Sequence, residues 1–206
     1  MSSDKKDSAV ESVSKTKKHD SSRLQEDFEE FISEFGSESD RAAVILGASK
    51  IDQLLGSLLE RYFLPSPTSE DALFSNNGPL GTFSAKVDLS YRLGLIDAQF
   101  SKSIHLVRRI RNSFAHEAYG AKLSSGTHKD RVKSLAAPFQ GHEWFSSLKK
   151  LYFNDIDESR ADFSTTLGLM IIMLEKCAHY VEPVSDSAAK SVVIDEPNKN
   201  KKENDL

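Results

Sequence analysis

One stretch limits the fold more than any other: Asp97 to Glu117, DAQFSKSIHLVRRIRNSFAHE. Stepped at about 100° per residue, it places Phe100, Ile104, Leu106, Val107, Ile110 and Phe114 on one broad arc. Such a stripe belongs to an amphipathic helix that buries one side against other elements. The opposite arc carries Ser101, His105, Arg108, Arg109, Asn112 and His116. Of these, His105, Arg109, Asn112 and His116 fall within about 60° of one another. Arg111 interrupts the apolar arc, beside Phe100 and Ile104. A guanidinium buried there needs a carboxylate or several acceptors, because an unpaired buried charge is costly. Asp52 and Glu60 are candidate partners. The polar band reads either as a solvated face or as a site whose imidazoles titrate or donate near neutral pH.

The same helical period recurs along the chain, and no run alternates as a strand would. Leu24, Phe28, Phe31, Ile32 and Phe35 predict a helix over 22–35, with Gly36 as its stop. Val44, Ala48, Ile51, Leu55, Leu58 and Leu59 predict a long helix over 39–63, capped by Ser37 with Asp40 and ended by Pro65 and Pro67. Ser69 to Phe74 reads as a short helical turn. Asn77-Gly78-Pro79 is a strong turn signal, reinforced by Gly81. A helix from Thr82 to Leu93 follows, anchored by Phe83, Val87 and Tyr91 and stopped by Gly94. Asp97 caps the central helix, which is expected to end near Tyr119-Gly120. A short helix is expected over 129–136, with Pro138 breaking it, and a short helix or packed loop over 143–152. The last helix, 160–181, is apolar nearly all round, which fits burial or a dimer interface, and burial is the preferred reading. The expectation is all-α: a single helical bundle of about five main helices.

At 206 residues the chain can form one domain with a substantial core. Residues 1–21 and 183–206 are polar and poor in large apolar side chains, so they are expected to be disordered tails around a domain at 22–182. The net charge of −4 offers no global attraction to nucleic acid. A single cysteine, Cys177, excludes an internal disulfide and a cysteine zinc cluster, and is read as a small core residue. No apolar run resembles a signal peptide and no stretch of 18 apolar residues spans a membrane, so a cytoplasmic protein is expected. No metal and no cofactor are expected. The glycine turn opening a helix at Thr82 could hold a phosphate on free N–H groups. It lacks both the GxxxxGK[ST] and GxGxxG patterns and no strand precedes it, so a structural connection is the reading.

Two stretches resemble known families. Asn77 to Ile96, NGPLGTFSAKVDLSYRLGLI, resembles the signature of the mannitol operon repressor family. The shared features are the Gly78-Pro79-Leu80-Gly81 turn, the helix after it and the Gly94-Leu95-Ile96 step. The resemblance spans roughly residues 25 to 182. It implies an all-helical fold and negative regulation of transcription without a helix-turn-helix. Action through a protein partner, as a homodimer, then fits better than direct specific DNA binding.

Arg111-Asn112-Ser113-Phe114-Ala115-His116 is similar to the arginine–histidine motif of HEPN ribonucleases. That likeness implies metal-independent RNA cleavage in a cleft between two subunits. His116 would exchange protons, Arg111 would stabilise phosphate charge, and Asn112 would position the phosphate or imidazole. Arg109 and His105 would be auxiliary. The favoured expectation is a non-enzymatic regulator working through protein contact. The alternative is a ribonuclease or a toxin/antitoxin-like RNA-binding module.

Overall fold

The structure, a computed structural model, describes residues 28–185 apart from 34, 70 and 118. The expected tail at 1–21, the start of the first helix with Leu24, and residues 186–206 lie outside the described residues. Within them there are seven helices and no strand. Residues 28–33 and 35–37 are helical and are called α1. α2 is Asp40–Tyr62, α3 Phe83–Arg92, α4 Ala98–His116, α5 Gly126–Ala136, α6 Glu143–Tyr152 and α7 Glu158–Tyr180.

The helix starts follow the rule that a side-chain oxygen must satisfy backbone N–H groups that have no partner within the helix. Ser39 accepts from the Ala42 N–H, Thr82 from Ala85, Asp97 from Phe100, and Asp157 from Ser159 and Arg160. The expected cap at Ser37 is displaced to Ser39. α1 runs through Gly36 to Ser37, so Ser37 is still helical where a cap must be extended. Gly94, at φ +73°, ends α3 as expected. There the Gly94 N–H donates to the Tyr91 carbonyl and the Leu95 N–H to that of Ser90. Residues 72–74 form a turn where a short helical turn was expected from Ser69, with the Leu73 N–H on Asp71 Oδ1 at 3.0 Å. α5 begins three residues before the expected Lys129 and buries His128.

α2 and α7 form the centre and run in the same direction. Arg160 meets Asp40 near both N-termini, and Arg61 Nη1 donates to the Ala178 carbonyl near both C-termini, at 3.1 Å. The helices approach closely at Gly47, where an added Cβ would lie 2.3 Å from Leu167 Cδ1. α3 and α4 close the α2 side, and α5 and α6 close the α7 side. α7 buries Phe163, Leu167, Leu169, Met170, Ile171 and Leu174, so its apolarity is explained within one chain. α2 is long and apolar enough to cross a membrane by length and composition, yet half of its most apolar window is buried in this bundle. Tyr91 and Cys177, expected inward, face outward instead. Tyr91 is exposed, and the buried place on that turn belongs to Ser90. Cys177 is exposed, and its neighbour Ala178 points inward.

The buried arginine of this fold is Arg160, not Arg111. Arg160 is 5% exposed. Its Nη1 donates to Asp40 Oδ1 at 3.2 Å, its Nη2 to the Phe35 carbonyl at 2.8 Å and its Nε to Ser164 Oγ at 3.2 Å. Its guanidinium carbon sits 5.3 Å from the centre of the Phe35 ring. Burial pulls the Arg160 pKa down, and Asp40 opposes that. The second Asp40 oxygen accepts the Leu123 N–H at 2.8 Å, so one carboxylate joins α2, α7 and the α4–α5 connection.

Removing Asp40 would strand both the guanidinium and the Leu123 donor. Because the Asp40 side chain is 27% exposed, water recovers part of the loss. Asp40→Ala is expected to lower unfolding stability by about 2–3 kcal/mol, below the upper range for a fully buried pair. Urea denaturation followed by circular dichroism measures it.

Candidate functional site

α4 brings its second half against the middle of α2 and the start of α3, leaving a cleft of about 350 Å³ between them. Ala48, Ser49 and Asp52 line it from α2, Gly81 to Ser84 from the turn and first residues of α3, and Arg108, Arg111 and Asn112 from α4. The glycine turn is what lets α3 begin there. Its Gly78 N–H donates to the Ser75 carbonyl at 2.8 Å and the Leu80 N–H to that of Leu73 at 2.8 Å. A Cβ on Gly78 would lie 2.1 Å from the Ala72 carbonyl oxygen, and one on Gly81 2.4 Å from that of Ser75. No side chain fits at either position without moving backbone. Leu80 is buried beneath the turn while Pro79 is exposed.

Arg111 is exposed, contrary to the expectation of a buried charge, and its Nη1 donates to Asn112 Oδ1 at 3.1 Å. By angle it belongs to the inward arc of α4, but the cleft leaves that arc uncovered at its position. Neither expected carboxylate partners it. Asp52 pairs with Lys86 of α3 at 2.7 Å, and Glu60 is exposed. Arg108 also lines the cleft. Its Nε is buried and has no acceptor among the described residues.

The remaining residues of the polar band do not converge on the cleft. His105 binds Asp88 of α3, Nε2 to Oδ1 at 3.0 Å. Ser101, expected on the outer arc, is buried. Arg109 and His116 are exposed and are not among the cleft's lining residues. His116 lies five positions after Arg111, which turns their side chains about 140° apart on one helix. The sequence reading singled out Arg111 and Asn112 but passed over Arg108 as one of several polar-arc residues. The separate glycine motif carried no signal that its turn would sit across from them.

α4 ends at His116, earlier than the expected Tyr119-Gly120, because its last carbonyls are taken from outside. Arg41 of α2 donates to the Phe114 and Glu117 carbonyls. A cation at a helix C-terminus is favoured by the helix dipole. Glu117 in turn accepts from His128 Nε2 at 2.8 Å and from Ser113 Oγ at 3.2 Å, and the His128 ring packs against Phe114 at a tilt of 51°, with ring centres 4.5 Å apart. The hydrogen bond from His128 holds the Glu117 carboxyl below its ordinary value, against the effect of desolvation.

Comparison with known proteins gives a fold. No family model and no curated protein matches the chain. Among solved structures, a chain in the X-ray structure of the MtlR–HPr complex from Escherichia coli aligns with a TM-score of 0.55. Identity is 18%, over 71% of this chain and 97% of that one. At that identity the likeness concerns the fold.

Two variants test this geometry. Gly78→Ala, with its Cβ forced against backbone, is expected to lower stability by about 1–3 kcal/mol, as overpacking does, read from the urea midpoint. Glu117 has a depressed folded pKa, so its contribution is present above the unfolded value of about 4.5. It is lost as pH falls through the lower folded value. Glu117→Gln is therefore expected to melt at a lower temperature than the parent at pH 7, with the gap closing in more acid solution. A gap that persists unchanged in acid contradicts the assignment.

Proposed function

We propose that this chain is a non-enzymatic regulator of the mannitol repressor type, acting in the cytoplasm by binding a protein partner. The observation that carries the reading is the shared fold with a chain whose structure was solved in complex with another protein, HPr. The Gly78 to Ile96 motif supports it from the sequence side; Gly78 and Gly81 meet a packing demand and Gly94 a conformational one, with no chemical role in either case. Repression by a recognition helix has no support, since no exposed basic helix pair of the kind that enters a major groove is present among the described residues.

A second reading, metal-independent RNA cleavage, draws on one observation: exposed Arg111 and half-buried Asn112 line the same cleft. His116 points elsewhere on the same helix. Catalysis would therefore require a second copy of the chain to bring an imidazole to the arginine.

Calorimetric titration with purified HPr distinguishes these readings when run beside an RNA cleavage assay without metal. The regulator reading expects saturable binding of HPr, no cleavage above background, and no change in the RNA on substituting His116→Ala or Arg111→Ala. Cleavage by the parent that both well-folded variants lose would replace the regulator with the nuclease. Light scattering that finds only monomer would remove the shared-cleft mechanism.

A further inference from the structure

We propose that the cleft between α2, α3 and α4 is a binding site for a small phosphomonoester, with Arg108 and Arg111 as its anion ligands. The inference does not depend on which macromolecular partner the protein has. Two guanidiniums one helical turn apart, at positions i and i+3, share a face of α4 and open into one cleft. In a chain with net charge −4, this pairing of like charges has a cost unless something offsets it. Among the described residues that line the cleft, the one carboxylate, Asp52, is already paired with Lys86 at 2.7 Å, so no lining carboxylate pairs with either arginine. The Arg108 Nε–H is buried without an acceptor among the described residues, and a buried donor left unpaired is costly.

The other groups present are donors suited to the same ligand. Asn112 spends its side-chain oxygen on Arg111, which leaves its amide N–H groups to donate. α3 begins at the cleft wall, and its Thr82 cap accepts from Ala85. The Phe83 and Ser84 N–H groups thus remain at the positive end of the helix. Arginine forks match phosphate oxygens in pairs. Two guanidiniums and a helix N-terminus favour a dianion, and a phosphomonoester carries a charge of about −1.5 to −2 at neutral pH. A carboxylate or an RNA phosphodiester carries a single negative charge. The cleft volume of about 350 Å³ is at the small end for ligand pockets, enough for a phosphate with a compact body attached.

The test is calorimetric titration of the full chain at low salt with glycerol 3-phosphate, inorganic phosphate, acetate and a dinucleotide phosphodiester. Glycerol 3-phosphate is expected to bind saturably, and to bind less tightly as sodium chloride is raised. Arg111→Gln and Arg108→Gln should each weaken it about tenfold or more, the loss of one charge-assisted hydrogen-bond pair. Arg92→Gln, on an exposed residue at the far end of α3, should leave it unchanged. Arg111 is exposed, so its variant decides the matter even if Arg108→Gln folds poorly. Tighter binding of glycerol 3-phosphate than of inorganic phosphate assigns the site to an ester, and equal binding assigns it to free phosphate. Equal losses in Arg92→Gln and Arg111→Gln overturn the site. So does no saturable binding, or a dinucleotide or acetate that binds as tightly as the monoester.

Discussion

The ion pair between Arg160 and Asp40 is the constraint the rest of the bundle depends on. A buried guanidinium can be tolerated only when most of its donors find acceptors. Here those acceptors come from three separate elements: the Phe35 carbonyl at the end of α1, the carboxylate at the start of α2, and Ser164 one turn along α7. Satisfying one side chain therefore sets where three helices begin or end relative to one another. A pair of this kind adds little net stability over a well-packed apolar cluster. Its effect is on geometry, because sliding α7 by one turn would leave the charge without partners.

The neighbouring residue extends that control to the candidate site. Asp40 faces α7 and the Leu123 backbone, while Arg41 reaches the other way to the last carbonyls of α4. Two consecutive positions at the start of α2 thus fix both walls of the molecule. The end of α4 is held against α2 from one side by Arg41 and against α5 from the other by the Glu117–His128 bond. Residues 108–112 precede that clamp on the same helix, so the arginines are presented from a helix whose end is tied to both α2 and α5.

The helices were legible because burial repeats with their period. Val44, Ala48, Ile51 and Leu55 on α2, and Ile104, Val107, Ile110 and Phe114 on α4, are all buried as their spacing requires. The arginines show why the same reasoning stops short of the site. A helical wheel describes one helix, whereas burial depends on what covers each turn of it. Arg111 has an inward angle but lies where the Gly81 to Ser84 wall leaves α4 open. Arg160 sits in the charged run Glu158-Ser159-Arg160-Ala161-Asp162, which carries no periodic sign of burial. It is buried because α1 and Asp40 close over it. Long-range partners such as Asp40, 120 residues away, leave no periodic trace.

The arginine–histidine spacing illustrates the same limit from the chemical side. Residues that act together from one helix are three, four or seven apart, since those offsets share a face. Five positions apart, Arg111 and His116 leave this helix about 140° apart. The two residues therefore sit in different surroundings on this helix. The arginine, with Arg108 and Asn112, belongs to a cleft completed by a glycine turn some thirty residues earlier. The histidine belongs to the outer surface beside the C-terminal clamp. What unites the two resemblances is the cleft itself, because the turn that marks one family and the arginine that marks the other form its facing walls. That juxtaposition follows from α3 and α4 both packing on α2, and it makes anion binding by the arginines a property separable from any chemistry at His116.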